Sequence, residues 1–288
     1  MVPMSFAFAV PAHAAPQMAG PDVLQINGLC RFSYPSLRGE GFRLKAGLYE
    51  AERLRQRLWL FESLCLPSLL GQSEQSFRLI LLAGENLPQA IAQKLRALVA
   101  PHRNIFLHFE PEGQSHGALC QKLLRHYRDP QLPFTAEFNM DDDDAVAKSF
   151  IADLRRNFAA AHLLMGETGH IEMDFCRGFA AQIDERDIRL KHVLAPHWGV
   201  AQAFLMPTPE PLTAMNFHHM RYWKNNNALS LSRRPMFLRS FHAYNDSATS
   251  FAALKPEKLR PREGKSLSAR LRQDFALALA GSTIREEP

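Results

Sequence analysis

Four consecutive aspartates, Asp141, Asp142, Asp143 and Asp144, are the residues whose type and spacing most directly suggest chemistry. Asp is favoured at a helix N-cap and in the first turn, where each is worth about 0.3–1 kcal/mol. That accounts for one or two of the four. Carboxylates about 5–6 Å apart repel by roughly 3 kcal/mol per pair at an effective dielectric near 20, more than a cap returns. The run is therefore either fully solvated or built around a cation. In extended backbone, Asp141 and Asp143 point to one side and Asp142 and Asp144 to the other. Two carboxylates on one side suit Mg²⁺ or Mn²⁺, which take one or two protein carboxylates together with phosphate oxygens. The expected division puts Asp141 and Asp143 toward a ligand, with Asp143 nearer the metal. Asp144 is then the cap of a following helix, and Asp142 a supporting or solvent-facing acid.

The elements around the run are legible from hydrophobic period. Residues 77–83 (FRLILLA), 105–109 (IFLHF) and 134–140 (FTAEFNM) read as strands, the first buried on both faces. Leu54, Leu58, Phe61, Leu64 and Cys65 recur at helical spacing, with Pro67 expected to end or kink that helix. Pro88 opens a second helix carrying Ile91, Leu95, Leu98 and Val99, and 116–127 reads as a third. A fourth, with Val146, Phe150, Ile151, Leu154 and Phe158 inward, is expected directly after the aspartates. Strand–helix alternation predicts an α/β fold with a mostly parallel sheet. Short strand-like runs at 170–175, 179–183, 188–193 and 200–206 predict an antiparallel addition to that sheet. In open α/β sheets the ligand crevice lies beyond the carboxyl ends of the strands, where the aspartates sit.

Composition bounds the rest. The 288 residues are 46% apolar and 22% charged, ordinary for a globular protein of one large or two smaller domains. No apolar run approaches the length of a membrane span. The net charge of +5 permits an anionic substrate but does not call for nucleic acid. Cys30, Cys65, Cys120 and Cys176 lack the spacing of a disulfide framework or zinc site, so reduced, buried thiols are expected. The first 16 residues contain Ala12-His13-Ala14 but no preceding Lys or Arg, which reads as a flexible leader to about Asp22 and a cytoplasmic protein. Residues 254–274 carry seven Lys/Arg against three Asp/Glu, suiting a solvated helix or tail, or peripheral contact with anionic lipid.

Several stretches together resemble one family: GLCRFSY at 28–34, FESLCLPSL at 61–69, the aspartates with Ala145 and Val146, DFCRG at 174–178, MNF at 215–217, and His242 with NDS at 245–247. The chain is similar to bacterial rhamnosyltransferases, nucleotide-sugar glycosyltransferases of the GT-A fold, over most of 24–250. The resemblance implies a Rossmann-type mixed sheet flanked by helices. It also implies a DxD motif holding Mn²⁺ or Mg²⁺ on a donor diphosphate, with dTDP-L-rhamnose the donor if rhamnose is the sugar, and a glycan or lipid-linked acceptor. The expected organisation is a 1–22 leader, one domain at 23–253 (nucleotide half 23–158, acceptor half 159–253) and the basic 254–288 segment. The Glu-Asp pair that many inverting members of the fold carry late in the domain is absent between Gly199 and Phe251.

Within that frame, Arg31 and Ser33 would meet the donor, Arg31 as a fork on phosphate. Glu85 and Asn86 end a strand and would face base or ribose, or form an ordinary loop. Asp174 would take the acceptor proton, or pair with Arg177, itself a donor-binding candidate. His242 would complete the metal site with Asp141, Asp142 and Asp143, with Asn245 on the donor and Asp246 a second candidate base. His218, His219, Arg221 and Lys224 would bind phosphate or acceptor. Trp198, Tyr222 and Trp223 would stack on sugar or, more simply, pack in the core. A nucleotidyltransferase-type metal enzyme and a non-catalytic nucleotide-sugar or glycan-binding domain are the alternatives.

Overall fold

The apolar runs become neighbouring strands in the computed structural model, which describes residues 21–34, 47–183, 187–245, 249–257, 266–279 and 281–287. In chain order the strands are β1 (Leu24–Arg31), β2 (Arg78–Gly84), β3 (Ile105–Glu110), β4 (Phe134–Asp141), β5 (Ala145–Val146), β6 (Ile171–Phe175), β7 (Arg177–Ile183), β8 (Asp187–Leu194), β9 (Gln202–Pro207), β10 (Ala228–Leu231), β11 (Phe237–Phe241) and β12 (Thr283–Glu286). The helices are α1 (Ala51–Leu60), α2 (Leu66–Leu70), α3 (Gln89–Val99), α4 (His116–His126), α5 (Phe150–Leu164) and α6 (Leu267–Asp274).

A seven-stranded sheet runs β10-β6-β9-β4-β1-β2-β3, with β1 to β4 parallel and β9 antiparallel to both β4 and β6. On β2, Leu79, Leu81 and Ala83 enter one apolar cluster while Ile80 and Leu82 enter the cluster on the other face. Period-two alternation thus buries both faces, as a crossover-connected parallel sheet requires. At Gly28 a Cβ would lie 2.3 Å from the Phe138 ring, so β1 lets that ring lie against its backbone.

Three features depart from the sequence expectations. The helix begun by α1 continues into α2 through a π-helical turn, Phe61–Cys65. Pro67 follows directly on that π-helical turn, where the regular i→i−4 ladder is already interrupted, and does not end the run. The antiparallel addition divides between two sheets: β6 and β9 join the first, and β7 and β8 form a second with order β12-β8-β7-β11-β5. Lastly, the helix after the aspartates begins only at Phe150. Between them lies β5, which pairs antiparallel with β11 and so ties the aspartate run to the second sheet.

The basic C-terminal segment supplies α6, with Leu271 buried, and β12, which pairs parallel with β8. Residues 258–265 of that segment, and residues 1–20 of the expected leader, lie outside the described residues. Among the described residues no helix is long and apolar enough to cross a membrane.

Candidate active site

β1 and β4 end side by side, with Arg31 in register with Asp141. At this carboxyl edge Arg31 Nη2 lies 3.4 Å from Asp141 Oδ1, and its Nη1 lies 2.8 Å from His116 Nε2 at the start of α4. The chain then turns: the Asp144 N–H reaches the Asp141 carbonyl at 3.3 Å. Alternation therefore stops at Asp141, and the next three carboxylates are distributed by the turn.

Asp142 is fully buried; it accepts the Ser33 N–H at 3.2 Å and pairs with Arg57. Asp143 accepts from Arg57 Nη1 at 2.6 Å and from Asn245 Nδ2 at 3.4 Å, with His242 Nε2 2.7 Å away, all on Oδ2. Burial works against its charge, yet Arg57 and His242 hold the carboxyl down at about 2. Asp144 accepts the Ser240 N–H at 2.8 Å. Burial and the nearby charges of Asp143 and Asp141 push its carboxyl well above the usual range, against the pull of Arg239.

One expectation is corrected here and one is narrowed. Asp144 caps no helix, because the chain enters β5 first and Ser149 stands at the N-cap position of α5. Of the two places expected for Asp142, solvent-facing or supporting, it is the solvent-facing one that fails: Asp142 is buried on Arg57, and the oxygens that approach within 4.8 Å of one another belong to Asp141, Asp143 and Asp144.

Asp141 and Asp144 line a cleft of about 290 Å³ together with Arg31, Arg239, Trp198 and His219. Asn139 also lines it, and its Oδ1 is buried without a hydrogen-bond partner among the described residues. Clustered carboxylates that repel one another, beside an unpaired amide oxygen, form a hard-oxygen donor set that fits Mg²⁺ or Mn²⁺. His242 and Asn245 stand behind this set: Asn245 Oδ1 accepts the His242 N–H, and both contact Asp143.

Other sequence candidates fall elsewhere. Asn86 Nδ2 donates to Glu112 at 2.6 Å, Glu85 is exposed in the turn after β2, and neither lines the cleft. Ser33 contributes its backbone N–H, while its hydroxyl is buried without a partner among the described residues. Arg177 donates Nε to the Ser232 carbonyl at 2.7 Å, and no ion pair joins it to Asp174 among the described residues. Asp174 is 1% exposed and lies off the cleft lining. Asp246 lies outside the described residues. His219 lines the cleft, whereas His218 is exposed. Tyr222 is buried with its hydroxyl 2.7 Å from His170 Nδ1, and Trp223 is exposed.

Sequence reasoning missed Arg57, His116 and Arg239. A signal existed for Arg57. Arg53 and Arg57, one helical turn apart, fall on the same buried side as Leu54 and Leu60, where an unpaired Arg would not be tolerated. For Arg239, on β11, local pattern offered none; its guanidinium lies 4.5 Å over the Trp198 ring and donates to the Trp198 carbonyl at 3.0 Å.

Among solved structures, the chain is similar to TarS residues 1–349 of S. aureus at 10% identity and TM-score 0.41, covering 75% of this chain and 60% of that one. The same fragment in complex with UDP gives 12% identity and TM-score 0.39 over the same shares. A putative nucleotide-diphospho-sugar transferase from Desulfovibrio desulfuricans G20 gives 10% identity and TM-score 0.35, covering 76% of this chain and 81% of that one. The chain thus spans about 60% of the S. aureus fragment. No curated protein matches it. Residues 25–254 match the model of the family described as putative rhamnosyl transferase, and the chain therefore belongs to that family of glycosyltransferases.

Proposed function

We propose that this glycosyltransferase moves a sugar, rhamnose by the family's description, from a nucleotide-sugar to a glycan or lipid-linked acceptor with a divalent cation in the aspartate cluster. The observation that carries this reading is the division of the four aspartates. Arg57 pairs with both Asp142 and Asp143, while Asp141 and Asp144 are left on a cleft that also presents Arg31 and Arg239. Paired carboxylates and paired guanidinium groups around one cavity suit a metal–diphosphate group.

Asp141 and Asp144, with Asn139 beside them and Asp143 behind, would hold Mn²⁺ or Mg²⁺, which supplies charge neutralisation for a leaving nucleoside diphosphate. Arg31 and Arg239 bind the phosphate oxygens directly. Trp198, fixed against Arg239, offers a face to the sugar. An acceptor hydroxyl oxygen forms the new bond to the anomeric carbon as the bond from that carbon to the diphosphate oxygen breaks. We assign the acceptor proton to His219, a cleft-lining imidazole, the side chain most used for such transfers. Such a donor suits a cytoplasmic site of action, with lipid-linked acceptors met at the membrane face.

The test is calorimetric titration of the full chain with dTDP and with UDP, each with and without Mn²⁺. Binding of one of them that requires Mn²⁺ supports the reading; binding of neither with Mn²⁺ overturns it. Incubation with nucleotide-sugar separates the enzyme alternatives, because a glycosyltransferase releases nucleoside diphosphate and a nucleotidyltransferase consumes or forms pyrophosphate.

A further inference from the structure

Glu172 and Asp174 are two residues apart on β6 and so point to the same face of the strand. Both are essentially fully buried, at 0% and 1% exposure. Most other buried carboxylates here pair with guanidinium groups, Glu137 with Arg128, Asp142 and Asp143 with Arg57, and Asp153 with Arg234, whereas Asp144 faces the cleft. Glu172 and Asp174 have no such partner among the described residues. Both face instead the turn that enters β9. The His197 N–H donates to Asp174 Oδ2 at 2.9 Å, and His197 Nδ1 lies 2.5 Å from Glu172 Oε1, which also accepts from Gln202 Nε2.

That turn is unusual in its backbone. His197, Gly199 and Ala201 have φ of +57°, +90° and +53°, so two residues with side chains occupy the left-handed region. Such conformations persist only where the surroundings over-determine them. The same turn supplies Trp198, Gly199 and Val200 to the cleft, and Gln202 follows them there. At Gly199 a Cβ would come within 3.2 Å of the His219 ring, so the turn also sets the room beside that imidazole.

We infer that Glu172 and Asp174 are positioning residues, a buried latch on the 197–202 turn that sets the Trp198–Gly199 wall of the donor cleft, and that Asp174 does not take the acceptor proton. A base must touch the acceptor, and Asp174 touches the turn. The latch acts on the binding of sugar and nucleotide through Trp198 and through the Arg239 that Trp198 supports. This inference rests on the glycosyltransferase reading of the cleft.

The experiment compares the full chain with Asp174→Asn and Asp174→Ala. Asparagine keeps an oxygen to accept the His197 N–H and removes the charge; alanine removes both. Hydrogen exchange is followed on the peptide spanning 195–202, alongside binding of Mn²⁺ alone and of dTDP or UDP with Mn²⁺. Asp174→Ala should speed exchange of that peptide at least tenfold and weaken nucleotide binding about tenfold, while Mn²⁺ alone binds as in the parent. Asp174→Asn should stay within about threefold of the parent on all measures. A uniform loss of fold would lower Mn²⁺ binding too, which separates positioning from general support. Parent-like exchange in Asp174→Ala overturns the inference. If the alanine variant does not fold, Asp174→Ser, whose side chain is too short to reach the His197 N–H, takes its place, and parent-like exchange of the 195–202 peptide in it overturns the latch. Failure of the parent chain to bind either nucleotide counts against the glycosyltransferase reading, while the exchange comparison still judges the latch.

Discussion

Arg57 on α1 donates to Asp143 at 2.6 Å across 86 positions of sequence, and the same guanidinium pairs with Asp142. One side chain thereby holds both middle members of an acidic run and leaves its two ends to the cleft.

Arg57→Met removes that charge from two buried carboxylates. Breaking a buried pair by deleting one partner costs about 3–5 kcal/mol. Urea denaturation should show a loss of that order, and Asp143→Asn in the same chain should recover part of it. A loss below about 1 kcal/mol would mean that the pair does not organise the run.

The aspartates should separate by substitution. Asp141→Asn and Asp144→Asn should abolish Mn²⁺-dependent nucleotide binding with the fold retained. Asp144→Asn should also raise the stability of the metal-free protein, because a carboxyl crowded by Asp143 and Asp141 is removed. Asp142→Asn should instead lower stability, with Mn²⁺ still bound. Calorimetry and thermal melts of the three variants check this division.

His219→Gln should reduce transfer to an acceptor by about 10²–10⁴-fold, the usual share of general acid–base catalysis. Nucleotide affinity should stay within about threefold. Turnover near that of the parent would remove His219 from the reaction.

Asp174 predicts a pH signature. Burial pushes its carboxyl up to about 6, against the pull of the His197 N–H and ring. The folded state therefore holds this proton more tightly than the unfolded chain. Relative to low pH, stability is lost as pH rises from the unfolded value near 4 through 6, by at most about 3 kcal/mol. Asp174→Asn has no such proton to lose. Its advantage over the parent in denaturant melts should grow between pH 4 and 6 and level off above.

The fold was largely legible in this chain because its strands are short apolar runs buried on both faces and its helices keep one apolar stripe. Residues 77–83, 105–109 and 134–140 overlap β2, β3 and β4 closely. Local pattern also placed the aspartates at the carboxyl end of a strand, where β4 indeed delivers Asp141. It could not assign β7 and β8 to a second sheet, since strand pairing depends on partners such as β11 that lie tens of residues away.

The site divides in the same way. The sequence by itself determined that four carboxylates lie together, because adjacency in the chain is adjacency in space. Which of them carry charge into the cleft was decided only by tertiary structure. Arg57, His242 and Ser240 reach the run from 86 or more positions away, and burial makes each such contact worth far more than it would be in water. Asp174 shows the reverse case. Its place on a strand-like run was right, but the side chain meets a turn 23 residues later instead of the cleft. A side chain's role follows from what its buried atoms touch, and for these residues those atoms come from other elements of the fold.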